Sequence, residues 1–232
     1  MTIEAVLFDY GGVFTPSPFA AAEAYAVAIG AEPDVLIEVV FGSYDTDGDH
    51  VWHRLERGEV PFVEALAEIA ENAQAAGFAF EAGEMFGWLA GDHIDRAVVV
   101  EAVRAARATG ARTAIVTNNI KEYGEAWRRR LPVDELFDCI VDSSHEGIRK
   151  PDPAIYRLAL ERVGVTDPAR AVFLDDFEAN VLAARALGMH GIVVGPDPRP
   201  ALDELEALLA GNGETGSVPN GETGSVPNGE AG

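Results

Sequence analysis

The chain has 232 residues, 48% of them hydrophobic, enough for one substantial core or a core with a small accessory domain. Its formal charge is −22, from 39 acidic and 17 basic residues, and only two of the basic residues are lysines, Lys121 and Lys150. Such an acidic body argues against a nucleic-acid partner, and no apolar run reaches the length of a membrane span.

The opening residues MTIEAVLFDY enter an apolar strand over 5–8 at once, with no charged stretch ahead of a long apolar one, so no signal peptide is expected. The next strand, over 112–116, follows a gap of about a hundred residues, far beyond an ordinary crossover. That gap is helical in pattern, with helices expected over 19–29, 33–40, 51–57, 62–76 and 82–89. Further strands are expected over 139–141, 171–174 and 192–194, with helices over 95–109, 123–130, 153–163 and 178–187. The run Arg128-Arg129-Arg130 reads as the end of a helix, where cations suit the macrodipole. Short apolar strands alternating with helices predict an α/β fold, a Rossmann-like doubly wound parallel sheet covered on both faces. The expected organisation is a core made of residues 1–16 and 95–210, a helical cap over 17–94, and a tail over 211–232. From Asn212 the tail repeats the octapeptide NGETGSVP and is too poor in apolar residues to order itself. The lone Cys139 cannot form a disulfide within the chain, which suits a reducing cytoplasm.

The carboxyl ends of the strands carry the chemistry, because ligands in open α/β sheets bind there. The first strand ends in Asp9, Tyr10, Gly11 and Gly12, and the second in Thr117, Asn118 and Asn119. Lys150 follows the third strand, and Asp175 and Asp176 end the fourth. Three clustered carboxylates repel one another, and an oxygen-ligated divalent cation such as magnesium resolves the conflict. A phosphoryl group can then approach Asp9, with Lys150 and Thr117 facing the oxygens on which charge develops.

Weaker signals lie in the helical gap. Asp45 to Asp49 resemble a calcium loop only superficially, since the glycine falls at the fourth position and not the sixth. Trp52, Trp88, Phe86 and Phe62 read as helical core and not as a stacking platform. Tyr44, His50, Trp52 and Arg54 are candidates for contact with substrate.

The segments VLFDYGGVFTPS, AIVTNN, GIRKPDPAIY and FLDDFEANVLAARALGM resemble the four motifs of the haloacid dehalogenase-like hydrolases. The helical gap resembles the cap of the branch holding sugar-phosphate phosphatases, dehalogenases and the N-terminal domains of soluble epoxide hydrolases. The resemblance implies Asp9 as nucleophile and magnesium ligand, with Gly11 offering its backbone carbonyl to the metal. It implies Asp175 and Asp176 as further metal ligands, Thr117 and Asn118 as binders of the phosphoryl group, and Lys150 as the balancing charge. The expected activity is a magnesium-dependent phosphomonoester phosphatase acting on a small phosphorylated metabolite. One departure stands out. Phosphatases of this kind usually carry a second Asp two positions after the nucleophile as general acid, and here that position is Gly11. A 2-haloacid dehalogenase, which needs neither that acid nor a metal, and a non-catalytic binder of a phosphorylated ligand are the alternatives.

Overall fold

The computed structural model describes residues 2–91, 97–124 and 128–211, with the side chains of the first stretch described through residue 87. In chain order it runs through β1 (Ala5–Phe8), α1 (Pro18–Ile29), α2 (Pro33–Phe41), α3 (Val51–Glu56), α4 (Phe62–Ala75), α5 (Ala82–Gly91) and α6 (Ala97–Ala108). It continues with β2 (Arg112–Thr117), α7 (Val133–Leu136), β3 (Cys139–Asp142), α8 (Ser143–Glu146), α9 (Pro153–Val163), β4 (Ala171–Asp175), α10 (Glu178–Ala186), β5 (His190–Val193) and α11 (Arg199–Ala210). Local chemistry sets many of these ends. Proline opens α1, α2 and α9, where its missing N–H is no loss, and the Asp152 carboxylate caps α9 by accepting from the Ala154 N–H at 2.8 Å.

The five strands form one parallel sheet in the order β3-β2-β1-β4-β5. β1 is central and buried on both faces. Its residues alternate as the two-residue period requires. Val6 and Phe8 join α6 and α11 in one core, through Val103 and Leu205 among others, while Ala5 and Leu7 join α9 through Tyr156 and Ala159 in the other. The sheet thus has helices on both faces, the doubly wound arrangement expected. Its strand order turns back between β1 and β4, and that switch point places Asp9 beside Asp175.

The helices between β1 and α6 have a third core of their own, built on Tyr25, Leu36, Leu55 and Ile69 and touched from the sheet side by Ile120. Two expectations need correction. No α-helix forms over the described part of 123–130: Lys121–Tyr123 and Arg128–Arg130 are single 3-10 turns. Gly124 leaves helical geometry with ψ at −110°, and Pro132 follows closely, so among the described residues the arginine run is a 3-10 turn and not the end of an α-helix. The long helix α11 has no counterpart in the expected elements, although Ala201, Leu205 and Leu209 complete one face of the core. The repeat over 212–232 lies outside the described residues. No helix among the described residues is long and apolar enough to cross a membrane.

Candidate active site

β1 runs directly into Asp9, β2 into Asn118, and β4 ends at Asp175 with Asp176 next. One oxygen from each of Asp9, Asp175 and Asp176 lies within 4.8 Å of the others. Lys150 is fully buried among them, its Nζ 2.8 Å from Asp9 Oδ1 and 2.6 Å from Asp175 Oδ2. Asn118 fixes the backbone that carries this lysine: its Oδ1 accepts from the Lys150 N–H at 2.8 Å, and its Nδ2 donates to the Lys150 carbonyl at 3.1 Å. Asp175 is held by the Asn180 amide at 3.1 and 3.2 Å and by the Phe177 N–H at 2.8 Å. Thr117 is buried at the end of β2, and its hydroxyl makes a long 3.4 Å bond to the Asn118 carbonyl. Gly11 and Asn118 line the cavity over Asp9; Thr117 is not among the described lining residues.

The electrostatics are unbalanced. Burial pushes the Asp9 carboxyl up to about 8; Lys150 opposes this, while Asp175 and Asp176 add to it. Asp176 rises to about 6, from burial and then from Asp175, against a hydrogen bond from Ser17. Burial alone would lower the pKa of Lys150, but Asp175 and Asp9 outweigh it and hold the pKa above the ordinary lysine value. Three carboxylates facing one ammonium leave a formal surplus of two negative charges. An all-oxygen donor set with that surplus fits a hard divalent cation. Gly12 permits the approach of Asp176: with φ at 69°, it sits where any Cβ would collide with the Asp176 side chain. Gly11 is different. Its φ is not in the left-handed region, and a Cβ there would meet only Pro18 Cδ at 3.8 Å.

A second buried charge cluster lies one residue away. Arg149 is fully buried and donates from Nε to Glu56 Oε2 at 2.7 Å. Glu56 also accepts from Trp52 Nε1 at 2.9 Å and from the Tyr44 hydroxyl, and the Arg149 guanidinium stacks 4.5 Å from the Tyr44 ring centroid. Asp47 pairs with Arg57 and, at 3.5 Å, with Arg149, so this carboxylate of the 45–49 loop is engaged in ion pairs. Ser143 Oγ donates to the Glu56 carbonyl at 2.6 Å, and Lys121 Nζ to the Gly58 carbonyl at 2.7 Å. These contacts tie the helices before α6 to the sheet edge. Nothing in the sequence pattern singles out Arg149 and Glu56, which are 93 positions apart.

Above Asp9 and Asp176 is a cavity of about 140 Å³ walled by Phe19, Phe41, Tyr44, Trp52 and Phe86 from the helical segment. Trp52 lies in the helical core and Phe86 packs against it, as expected, and both also face this space. Of the other candidates, Tyr44 lines the cavity. His50 instead caps α3, accepting from the Trp52 N–H at 3.2 Å, and Arg54 pairs with Glu68 at 2.9 Å.

A family model of haloacid dehalogenase-like hydrolases matches residues 3–188. The chain is 35% identical over 210 residues to acyl-CoA dehydrogenase family member 10 of Mus musculus, covering 88% of this chain but 19% of that protein. It is 27% identical over 199 residues to the sesquiterpene phosphatase astK of Aspergillus oryzae, covering 82% of this chain and 89% of that one. A crystal structure of a dehalogenase superposes with a TM-score of 0.60 at 20% identity, covering 90% of this chain and 97% of the other, a likeness of fold. With the acidic cluster at the switch point of a parallel sheet and the family match spanning most of its length, the chain belongs to the haloacid dehalogenase-like hydrolases and is an enzyme of hydrolase type.

Proposed function

We propose that this hydrolase is a magnesium-dependent phosphomonoester phosphatase that works through an aspartyl-phosphate on Asp9 and acts on a small phosphorylated metabolite. The observation that carries the reading is the gathering of Asp9, Asp175 and Asp176 within 4.8 Å around a single ammonium. Asp9, Asp175, Asp176 and the Gly11 carbonyl would hold the ion. Bound there, magnesium neutralises the carboxylate surplus and polarises the phosphoryl group. The Asp9 carboxylate attacks phosphorus, the ester P–O bond breaks, and water later cleaves the acyl-phosphate. Lys150 faces the charge that develops on the phosphoryl oxygens. Thr117 offers its hydroxyl to the same group, and Asn118 acts mainly by fixing the backbone of Lys150.

The helices over 17–94 act in this reading as a cap over the core of residues 1–16 and 95–210, since they supply the aromatic wall of the cavity. A cytoplasmic location belongs to the same proposal, because the lone Cys139 has no partner within the chain for a disulfide. The relative astK is named a sesquiterpene phosphatase, which favours phosphoryl transfer over dehalogenation. The test is turnover of a panel of phosphomonoesters and 2-haloacids with magnesium and with excess chelator. Phosphate release that depends on magnesium is expected. Equal turnover in chelator, or release of halide only, overturns the reading.

A further inference from the structure

The floor of the cavity performs the chemistry, but its walls select the leaving group. They are aromatic in an unbroken series: Phe177 lies 5.0 Å from Phe19 and 5.2 Å from Tyr44 between ring centroids, and Phe19 lies 4.9 Å from Tyr44. Farther round, Phe86 lies 6.2 Å from Trp52 and 5.9 Å from Tyr123. Most of the polar groups among these walls are already engaged, though Asn180, which donates from Nδ2 to Asp175, keeps its Oδ1 without a partner. Glu56 accepts from Arg149, Trp52 and Tyr44. The Asn118 side chain is tied to the Lys150 backbone, and Asn119 Nδ2 donates to Asp142 at 2.7 Å. Among the described lining residues the cation is Lys150, and two carboxylates already bind it.

Such walls disfavour two kinds of leaving group. A sugar or other polyol would lose its water hydrogen bonds here with few groups to replace them, weakening binding roughly ten- to hundredfold for each stranded hydroxyl. A second anionic group would meet Glu56 and Asp176, and the cation among the described lining residues, Lys150, is already bound by two carboxylates. What fits is neutral, apolar and small. At about 140 Å³ the cavity has to admit the phosphoryl group over Asp9 as well, which leaves room for a small leaving group and not for a large one. Aromatic walls favour a ring in particular, through offset and edge-to-face contact.

We propose, resting on the phosphatase reading, that the site selects phosphate monoesters of small, neutral, apolar alcohols, with a phenol-type leaving group as the best fit. The first step balances without a proton donor. The Asp9 oxygen forms a bond to phosphorus, the ester P–O bond breaks, and its electron pair leaves on the phenolate, which needs no proton in the transition state and takes one from solvent. Water then attacks phosphorus, breaks its bond to Asp9 and releases inorganic phosphate. The absence of an acid at position 11 is tolerated by this leaving group, so the walls and the floor select the same substrate.

The experiment measures kcat/KM of the full chain with magnesium for phenyl phosphate, glucose 6-phosphate, phosphoglycolate and acetyl phosphate. Direct binding of phenylphosphonate to the magnesium-loaded protein accompanies it. Phenyl phosphate is expected to exceed glucose 6-phosphate and phosphoglycolate by about a hundredfold or more. Phe86→Ala should raise KM for phenyl phosphate about tenfold more than for acetyl phosphate and weaken phenylphosphonate binding to match, with Phe86→Leu intermediate. If acetyl phosphate is hydrolysed but the sugar or carboxylated phosphate equals or exceeds phenyl phosphate, the inference on substrate fails while the phosphatase reading stands. If none of the four is hydrolysed and phenylphosphonate does not bind, both fail.

Discussion

Two buried cations, Arg149 and Lys150, are adjacent in sequence and serve opposite clusters. Lys150 faces Asp9 and Asp175, with Asp176 close by, and the carboxylates outnumber it. Arg149 is paired at close range with Glu56 and only distantly with Asp47, so within the buried pair the charges match one to one. A balanced buried cluster, rich in hydrogen bonds, locks structure in place. A cluster left with surplus charge is poised to receive an ion or a reacting group. The two sit side by side because one loop supplies both cations, tying the helical segment to the residues of the proposed site.

The comparison can be broken most severely at Asp9. Asp9→Asn should abolish turnover, since an amide is a far poorer nucleophile than a carboxylate. In chelator near neutral pH it should also melt higher than wild type, because a neutral amide spares the fold the cost of keeping the buried Asp9 carboxyl protonated. Full activity in this variant, or a lower melting temperature in chelator, would break the contrast. At Arg149 the opposite stability response is expected. Arg149→Met should cost about 3–5 kcal/mol in urea unfolding by leaving Glu56 unpaired. The double replacement with Glu56→Leu should recover part of that loss, and a strictly additive double variant would show that the pair is not coupled.

Lys150→Ala comes next. It should lower kcat/KM by about 2–4 kcal/mol of transition-state stabilisation, as expected for one preorganised charged donor. Lys121→Ala, which loses only an exposed bond to the Gly58 carbonyl, should do far less. If the two lysine variants lose activity equally, Lys150 has no special place in the reaction.

The pH dependence of stability should separate the clusters by sign. Asp9, at about 8, and Asp176, at about 6, hold protons in the metal-free fold that the unfolded chain has released. Their contribution is therefore present below an ordinary carboxylate pKa and lost as pH rises toward 8. His53 beside the second cluster behaves in reverse. Burial and then Arg149 lower it to about 4, so its contribution is present above 6.5 and lost as pH falls toward 4. Thermal unfolding in chelator across this range should show both limbs, and magnesium should remove only the upper one.

The smallest effect is expected at position 11. Turnover in the wild type should fall as leaving-group pKa rises, and Gly11→Asp should flatten that slope. The backbone and the space around Gly11 accept a side chain, so the variant should fold. A flat profile in the wild type, measured with chemistry rate-limiting, would mean that another residue already supplies the proton.

The strands, their parallel order and the four strand ends are legible in the sequence because apolar strands buried on both faces leave an uninterrupted signal, as in Val6-Leu7-Phe8 and Val172-Phe173-Leu174. Asp9, Lys150, Asp175 and Asp176 follow, since each is the first polar group past such a strand or in the loop beyond it. The 3-10 turns at 121–123 and 128–130 are not legible, because a helical period there competes with Gly124 and Pro132. Helix α11 carries an ordinary amphipathic pattern close to the repetitive tail, and its role emerges only when Leu205 and Leu209 pack onto the sheet.

The sequence by itself determined the family of chemistry, because carboxylates at strand ends are placed by local period and chain order. Only the tertiary structure decided what surrounds them. Arg149 finds Glu56 across 93 positions, and rings from 19, 44, 52, 86 and 177 converge on one cavity, through contacts that no local pattern encodes. The same holds for the two glycines after Asp9. Identical in sequence, they differ in kind, because a neighbouring Asp176 excludes any side chain from Gly12 while open space admits one at Gly11.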